Sequence, residues 1–149
     1  MVGEVKSTTG WVKTGGYWYY YDASGNMTRG WKMIGGKWYG FNDQGQMLTG
    51  LASYNDQYYY FNSSGVMQTG WVLIDGYWHY FQSSGAMQFG WLQLNGKWYA
   101  FNGDGQMITG WGVDGSNYYY FNSDGTMVTG RKLINGTWYT FNSSGVLIG

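Results

Sequence analysis

Cysteine is absent from this chain of 149 residues, which removes disulfide staples and thiolate metal sites. Proline is absent as well, and charged residues make up only 11%, with a formal net charge of zero. No basic surplus exists to neutralise phosphates, so nucleic acid is not an expected partner. Acid–base groups are equally scarce. Glu4 is the single glutamate and His79 the single histidine, the aspartates are scattered, and no Gly-x-Ser-x-Gly elbow occurs. Catalysis is therefore not expected, and neither a cofactor nor a metal is implied. "NGDGQ" (Asn102 to Gln106) lacks the ligand number and the bidentate glutamate of a calcium loop and reads as a turn. No apolar run approaches the ~18 residues of a membrane span, so no membrane insertion is expected. "MVGEVKSTTG" lacks the apolar stretch of a signal peptide, and Met1 to Gly3 reads as an expression start or the cut edge of a longer protein.

What the chain has in excess is aromatic residues, 22%, and glycine, 27 residues. They recur with a strict period. In rows of twenty from residue 11 the chain aligns without a gap. Position 15 is Gly25, Gly45, Gly65, Gly85, Gly105, Gly125 and Gly145. Position 17 is Met27, Met47, Met67, Met87, Met107, Met127 and then Leu147. Position 11 is Tyr21 followed by phenylalanine at 41, 61, 81, 101, 121 and 141. The organisation is a leader, 1–10, and repeats 11–30, 31–50, 51–70, 71–90, 91–110, 111–130 and 131–149.

Each row reads as a small β unit. An aromatic run such as "WYGF" (Trp38 to Phe41) has high strand propensity. The turn "NDQG" follows, with Gly45 free to take a positive φ. A short second strand around Met47 completes the expected hairpin, and "GWxxxxG" links it to the next. A lone hairpin is marginal in water, so neighbours must cover its faces. Strand alternation puts positions 9 and 11 on one face and 8 and 10 on the other. Positions 9 and 11 with the position 17 methionine are the candidate core, and His79, in a tyrosine column, is a packing substitution. Positions 1, 8 and 10 tolerate changes such as Trp to Arg or Tyr to Gly, which a packed slot would not. They either pack between repeats or wall shallow pockets.

The pattern Gly-Trp, six residues, Trp-Tyr-x-Phe, Gly-x-Met, Thr-Gly-Trp resembles the choline-binding, or cell-wall-binding, repeat. "TGWVLIDGYWHYFQSSGAMQFGW" (Thr69 to Trp91) is close to it, and the resemblance runs from about Gly10 to the end. It implies an all-β solenoid of stacked two-stranded hairpins in a left-handed superhelix. It also implies a non-catalytic, extracellular module that binds choline on the teichoic acids of a Gram-positive surface, or a phage lysin module. A quaternary ammonium has no N–H and is held well by aromatic faces. In the family two rings come from one repeat and a third from the next. Carried over with position 10 as the third wall, the best sites are Trp31, Trp38 with Tyr60, and Trp91, Trp98 with Tyr120. Trp11 with Trp18 would face Gly40, and Trp71 with Trp78 would face Ala100, so each loses a wall. Tyr58 and Tyr80 lack any tryptophan beside Leu51, Trp111 and Tyr118 face Thr140, and Arg131 should repel the ligand. Rival readings are a carbohydrate-binding repeat of the glucan type and an engineered scaffold without a ligand. A seventh copy without a successor suggests homodimerisation through the C-terminal repeats, around Trp138 and Phe141.

Overall fold

A computed structural model describes residues 8–149; the leader segment 1–7, with Met1 to Gly3, lies outside the described residues. The described residues form fourteen five-residue strands and no helix. They are β1 (Gly10–Thr14), β2 (Tyr17–Tyr21), β3 (Gly30–Ile34), β4 (Lys37–Phe41), β5 (Gly50–Tyr54), β6 (Gln57–Phe61), β7 (Gly70–Ile74), β8 (Tyr77–Phe81), β9 (Gly90–Leu94), β10 (Lys97–Phe101), β11 (Gly110–Asp114), β12 (Asn117–Phe121), β13 (Gly130–Ile134) and β14 (Thr137–Phe141). They pair into seven separate two-stranded antiparallel sheets, one per repeat. The all-β class and the repeating hairpin are as the sequence implies.

The hairpin itself is drawn differently. The aromatic strand pairs with the strand before it, across the "GWxxxxG" segment that was expected to be a linker: Trp31 lies opposite Gly40 and Met33 opposite Trp38. Two-residue turns close these hairpins. Gly35 and Gly36 have φ of 59° and 81°, and Asn95 and Gly96 have 51° and 79°. Paired positive φ values give a turn whose twist matches that of the strands, which is why Asn-Gly and Gly-Gly serve here. The segment around Met47 contributes only an isolated bridge to Phe41. It cannot build a strand because its pairing capacity is divided: the Met47 amide donates to the Trp18 carbonyl of the preceding repeat at 2.8 Å, and the Leu48 amide to Gly40 of its own.

The polar turns follow one plan. Asn42 Oδ1 accepts from the Gln44 and Gln46 amides at 3.0 and 2.9 Å, and the Gly45 amide donates to the Asn42 carbonyl. Asn102 does the same for "NGDGQ", which is the turn the sequence suggested.

Contacts group the described residues into two compact units, one of residues 8–70 with 83–86 and one of 71–82 with 87–149. Within each, the core is a row of position 11 rings. Phe41 and Phe61 are buried in the first, and Phe81, Phe101, Phe121 and Phe141 in the second. A second row locks repeat to repeat: the methionine of one copy packs on the position 15 glycine of the next. At Gly125, with φ of 88°, a Cβ would collide with the Met107 sulfur. Glycine is required there for both backbone and space. Position 9, expected in the core, is only half-buried where it is tyrosine; His79 alone is buried, at 5% exposure.

A row of aromatic cages as the candidate site

The walls of the site come from opposite faces of successive hairpins. Opposed residues of an antiparallel pair share a face. Trp11 lies opposite Tyr20 and Lys13 opposite Trp18, so positions 1, 3, 8 and 10 form one face. Positions 9 and 11 form the other. Within each unit, repeats stacked in one direction bring the first face of one hairpin against the second face of the next. The third ring must then come from position 9.

The distances show this. Trp11 and Trp18 have ring centroids 6.2 Å apart at 90°, and Tyr39 of the next repeat stands 5.0 Å from Trp11 at 67°. Trp71 and Trp78 are 6.4 Å apart at 87°, with Tyr99 at 5.2 Å. Trp91 and Trp98 are 6.3 Å apart at 83°, with Tyr119 at 4.8 Å. Steeply inclined rings turn several π faces toward one space. That space is an open pocket of about 440, 390 and 410 Å³ in the three cases. Met47, Met107 and Met127 line it respectively. Trp31 has the same neighbour, Tyr59 at 4.8 Å, and Trp111 has Tyr139 at 5.0 Å.

Tyr60 and Tyr120 therefore take a different place from the one expected of a third wall. Tyr120 stands edge-on to Trp111 of its own repeat at 5.1 Å, as Tyr20 does to Trp11 and Tyr80 to Trp71. Tyr60 lies opposite Leu51 in its own hairpin. Position 10 is a buttress behind the position 1 ring. Gly40 and Ala100 remove no cage wall. Gly40 is buried under Phe61 and Leu48. In those two repeats position 4 of the next copy supports the tryptophan instead. Tyr54 meets Trp31 at 6.1 Å, and Trp91 Nε1 donates to Asp114 Oδ2 at 2.9 Å. The Trp11–Trp18 and Trp71–Trp78 pairs, expected to have lost a wall, have three rings each.

Sequence reasoning also missed a rim. The turn two repeats ahead closes each pocket: Ser63 and Ser64 beside Trp11, Ser123 and Asp124 beside Trp71, Ser143 and Ser144 beside Trp91. Each cage thus draws on three consecutive copies. The exact twenty-residue spacing was the available signal, but nothing local marks these serines as anything except turn residues.

The ring faces attract cations. Lys13 Nζ lies 5.9 Å from the Trp18 centroid, and the Arg131 guanidinium 4.6 Å from Trp138. In the seventh repeat the chain's own cation thus occupies the face of the position 8 ring. Position 8 is well exposed: Trp98 is 40% and Trp138 54% accessible. No cluster of three His, Asp or Glu residues able to hold a metal occurs among the described residues. Burial pushes the His79 imidazole below the usual histidine range; the nearby Gly105 backbone opposes this in part. Its Nδ1 is buried without a hydrogen-bond partner.

A search of curated proteins finds no match. Among solved structures the chain is similar to choline binding protein F from Streptococcus pneumoniae, at 39% identity and a TM-score of 0.90 over 95% of this chain and 52% of that one. It is similar to CbpJ of the same species at 37% identity and a TM-score of 0.90, again over 95% of this chain and 52% of that one. The modular autolysin LytC from Streptococcus pneumoniae matches at 28% identity and a TM-score of 0.70, over 93% of this chain and 32% of that one. The chain thus spans about half the length of the first two and a third of the third. The choline-binding repeat model matches residues 8–49, 48–89, 69–109 and 108–148, and with nearly every residue so covered the chain belongs to the choline-binding repeat family.

Proposed function

We propose that this chain is a non-catalytic attachment module that holds choline groups of (lipo)teichoic acid at a Gram-positive cell surface, or serves as the targeting part of a phage lysin. The observation that carries this reading is the cage: three inclined rings with a methionine beside them, repeated along the chain. A trimethylammonium group offers no hydrogen bond and spreads its charge over methyls. Ring faces supply both its electrostatic and its apolar needs, at roughly 0.5–2 kcal/mol per good contact. The pockets beside Trp11 and Trp91 are lined by no charged side chain, so the ring quadrupoles must do this work.

A single cage of this kind binds weakly, with Kd on the order of millimolar. Several cages on one chain convert weak sites into firm attachment to a polymer that carries many cholines. Association through the C-terminal copies would double that number. The exposure of Trp138, at 54%, supports such contact; Phe141, expected beside it, is buried at 2% and is not available for it. Sedimentation at rising protein concentration tests it; a monomer throughout would end the idea.

Titration with choline chloride, followed by tryptophan fluorescence and melting temperature, tests the main reading. Tetramethylammonium serves as the analogue, with dextran and sodium chloride as controls. A saturable response to choline and tetramethylammonium, weakened in Trp98→Ala, is expected. A response to dextran alone would move the module to the glycans.

A further inference from the structure

The three open cages share their walls but differ at one rim position. Ser64 and Ser144 stand beside the first and third, and Asp124 stands in the same place beside Trp71, Trp78, Tyr99 and Met107. The turns explain why the exchange is tolerated. In the third and seventh repeats Asn62 and Asn142 accept the turn amides, so the serine side chains are not needed to hold the backbone. In the sixth, Asn122 instead donates to Thr126 Oγ1, and Asp124 becomes the acceptor. Its Oδ1 takes the Thr126 amide at 3.0 Å and the Thr126 hydroxyl at 2.6 Å. Neither bond uses Oδ2. Those hydrogen bonds hold the carboxyl below the usual aspartate range, and the Lys97 ammonium adds to this. The group is therefore anionic at neutral pH, and the turn holds it in place.

A carboxylate changes what an aromatic cage can accept. A quaternary ammonium needs only ring faces. A tertiary or secondary ammonium keeps an N–H, which costs free energy to take out of water unless an acceptor meets it. A hydroxyl is a neutral acceptor. A carboxylate makes a charge-assisted bond of about twice the strength.

We propose that Asp124 makes the Trp71–Trp78–Tyr99 cage the preferred site for ammonium groups that retain an N–H, while the serine-rimmed cages favour quaternary ammonium. This inference rests on the reading of the cages as cation sites. The Lys97 charge already acts on this carboxylate, so the preference is modest, roughly fivefold, and falls as salt screens the charge.

The experiment uses the whole chain with 15N-labelled indoles, titrated at neutral pH with choline and, separately, with 2-(dimethylamino)ethanol. Choline is expected to move the Trp18, Trp78 and Trp98 signals. The tertiary amine should move Trp78 at roughly fivefold lower concentration than the other two. Asp124→Ser should erase that difference, and Ser144→Asp should confer it on Trp98, which keeps the test open if the first variant folds poorly. An equal response of all three indoles to the tertiary amine, with choline still binding, would overturn this proposal and leave the wider one standing. Indoles indifferent to choline would bring down both.

Discussion

The fifth and seventh repeats carry the same hairpin with different contents. Gly90 lies opposite Phe101 and Gly130 opposite Phe141, in the same register. Position 8 is Trp98 in one and Trp138 in the other. Position 1 is Trp91 in the fifth, where it completes a three-ring cage with Tyr119, and Arg131 in the seventh, where it lays a cation on Trp138. The strand pairing is indifferent to that exchange because position 1 projects onto a face the hairpin does not need for its own closure. The fold is held by the phenylalanine row, the methionine–glycine contacts and the two-residue turns. The site is held by what stands on top of them. Scaffold and cage can therefore be broken separately.

The largest effect should come from the scaffold. Phe121 is 2% exposed and packs 5.6 Å from Trp91, beneath the fifth repeat's cage. Phe121→Ala should cost about 3–5 kcal/mol, read from denaturant unfolding. It should weaken binding at that cage as well, since it removes the support of a wall. Trp98→Ala should do the reverse. Its ring is 40% exposed, so stability should change by about 1 kcal/mol or less while choline affinity at that site falls about tenfold or more. Calorimetric titration beside thermal melting separates the two. If Trp98→Ala unfolds the protein as Phe121→Ala does, the division between scaffold and cage is mistaken.

The third effect concerns the one position 9 residue that is not tyrosine. His79 is neutral in the fold because burial disfavours its charged form. Its folded pKa lies below the unfolded value near 6.5, so the unfolded chain takes up a proton first as pH falls. Stability is complete above that value and declines below it, by up to about 1.4 kcal/mol per pH unit, until the folded group also titrates. Melting temperature measured from pH 7.5 down to 5 should fall, and His79→Tyr should flatten the curve over that range. A flat curve in the parent protein would show that the imidazole is solvated.

The smallest effect is expected at Arg131. Arg131→Ala removes one cation–π contact and should cost less than about 1 kcal/mol, with the β spectrum unchanged. A larger loss would mean that the seventh repeat depends on its own cation for folding, and the contrast with the fifth would lose its meaning.

Much of this was legible in the residues. The period, the number of copies, the β class, the glycine turns and the aromatic nature of the walls all follow from composition and spacing. The hairpin pairing was legible too but was read from the wrong signal. Asn95-Gly96 and Gly35-Gly36 mark a two-residue hairpin turn between the strands they join, and that local preference outweighs the longer "NDQG" connection. Gly40 and Ala100 looked like missing walls because their column otherwise holds tyrosine or threonine. Leu48, which fills the space at Gly40, and Ile108, at the same position beside Ala100, were the available hint that this column belongs to packing.

The sequence by itself determined what each position is made of and which residues share a face of a strand, because alternation is a property of the extended backbone. Only the tertiary structure decided which face meets which. Stacking in one direction sets Trp11 against Tyr39 rather than against the position 10 column, and it carries the turn two copies ahead up to the rim. No local preference encodes that choice. It comes from burying the phenylalanine row of each unit and seating each methionine on the glycine of its neighbour, and those contacts exist only once several repeats are packed together.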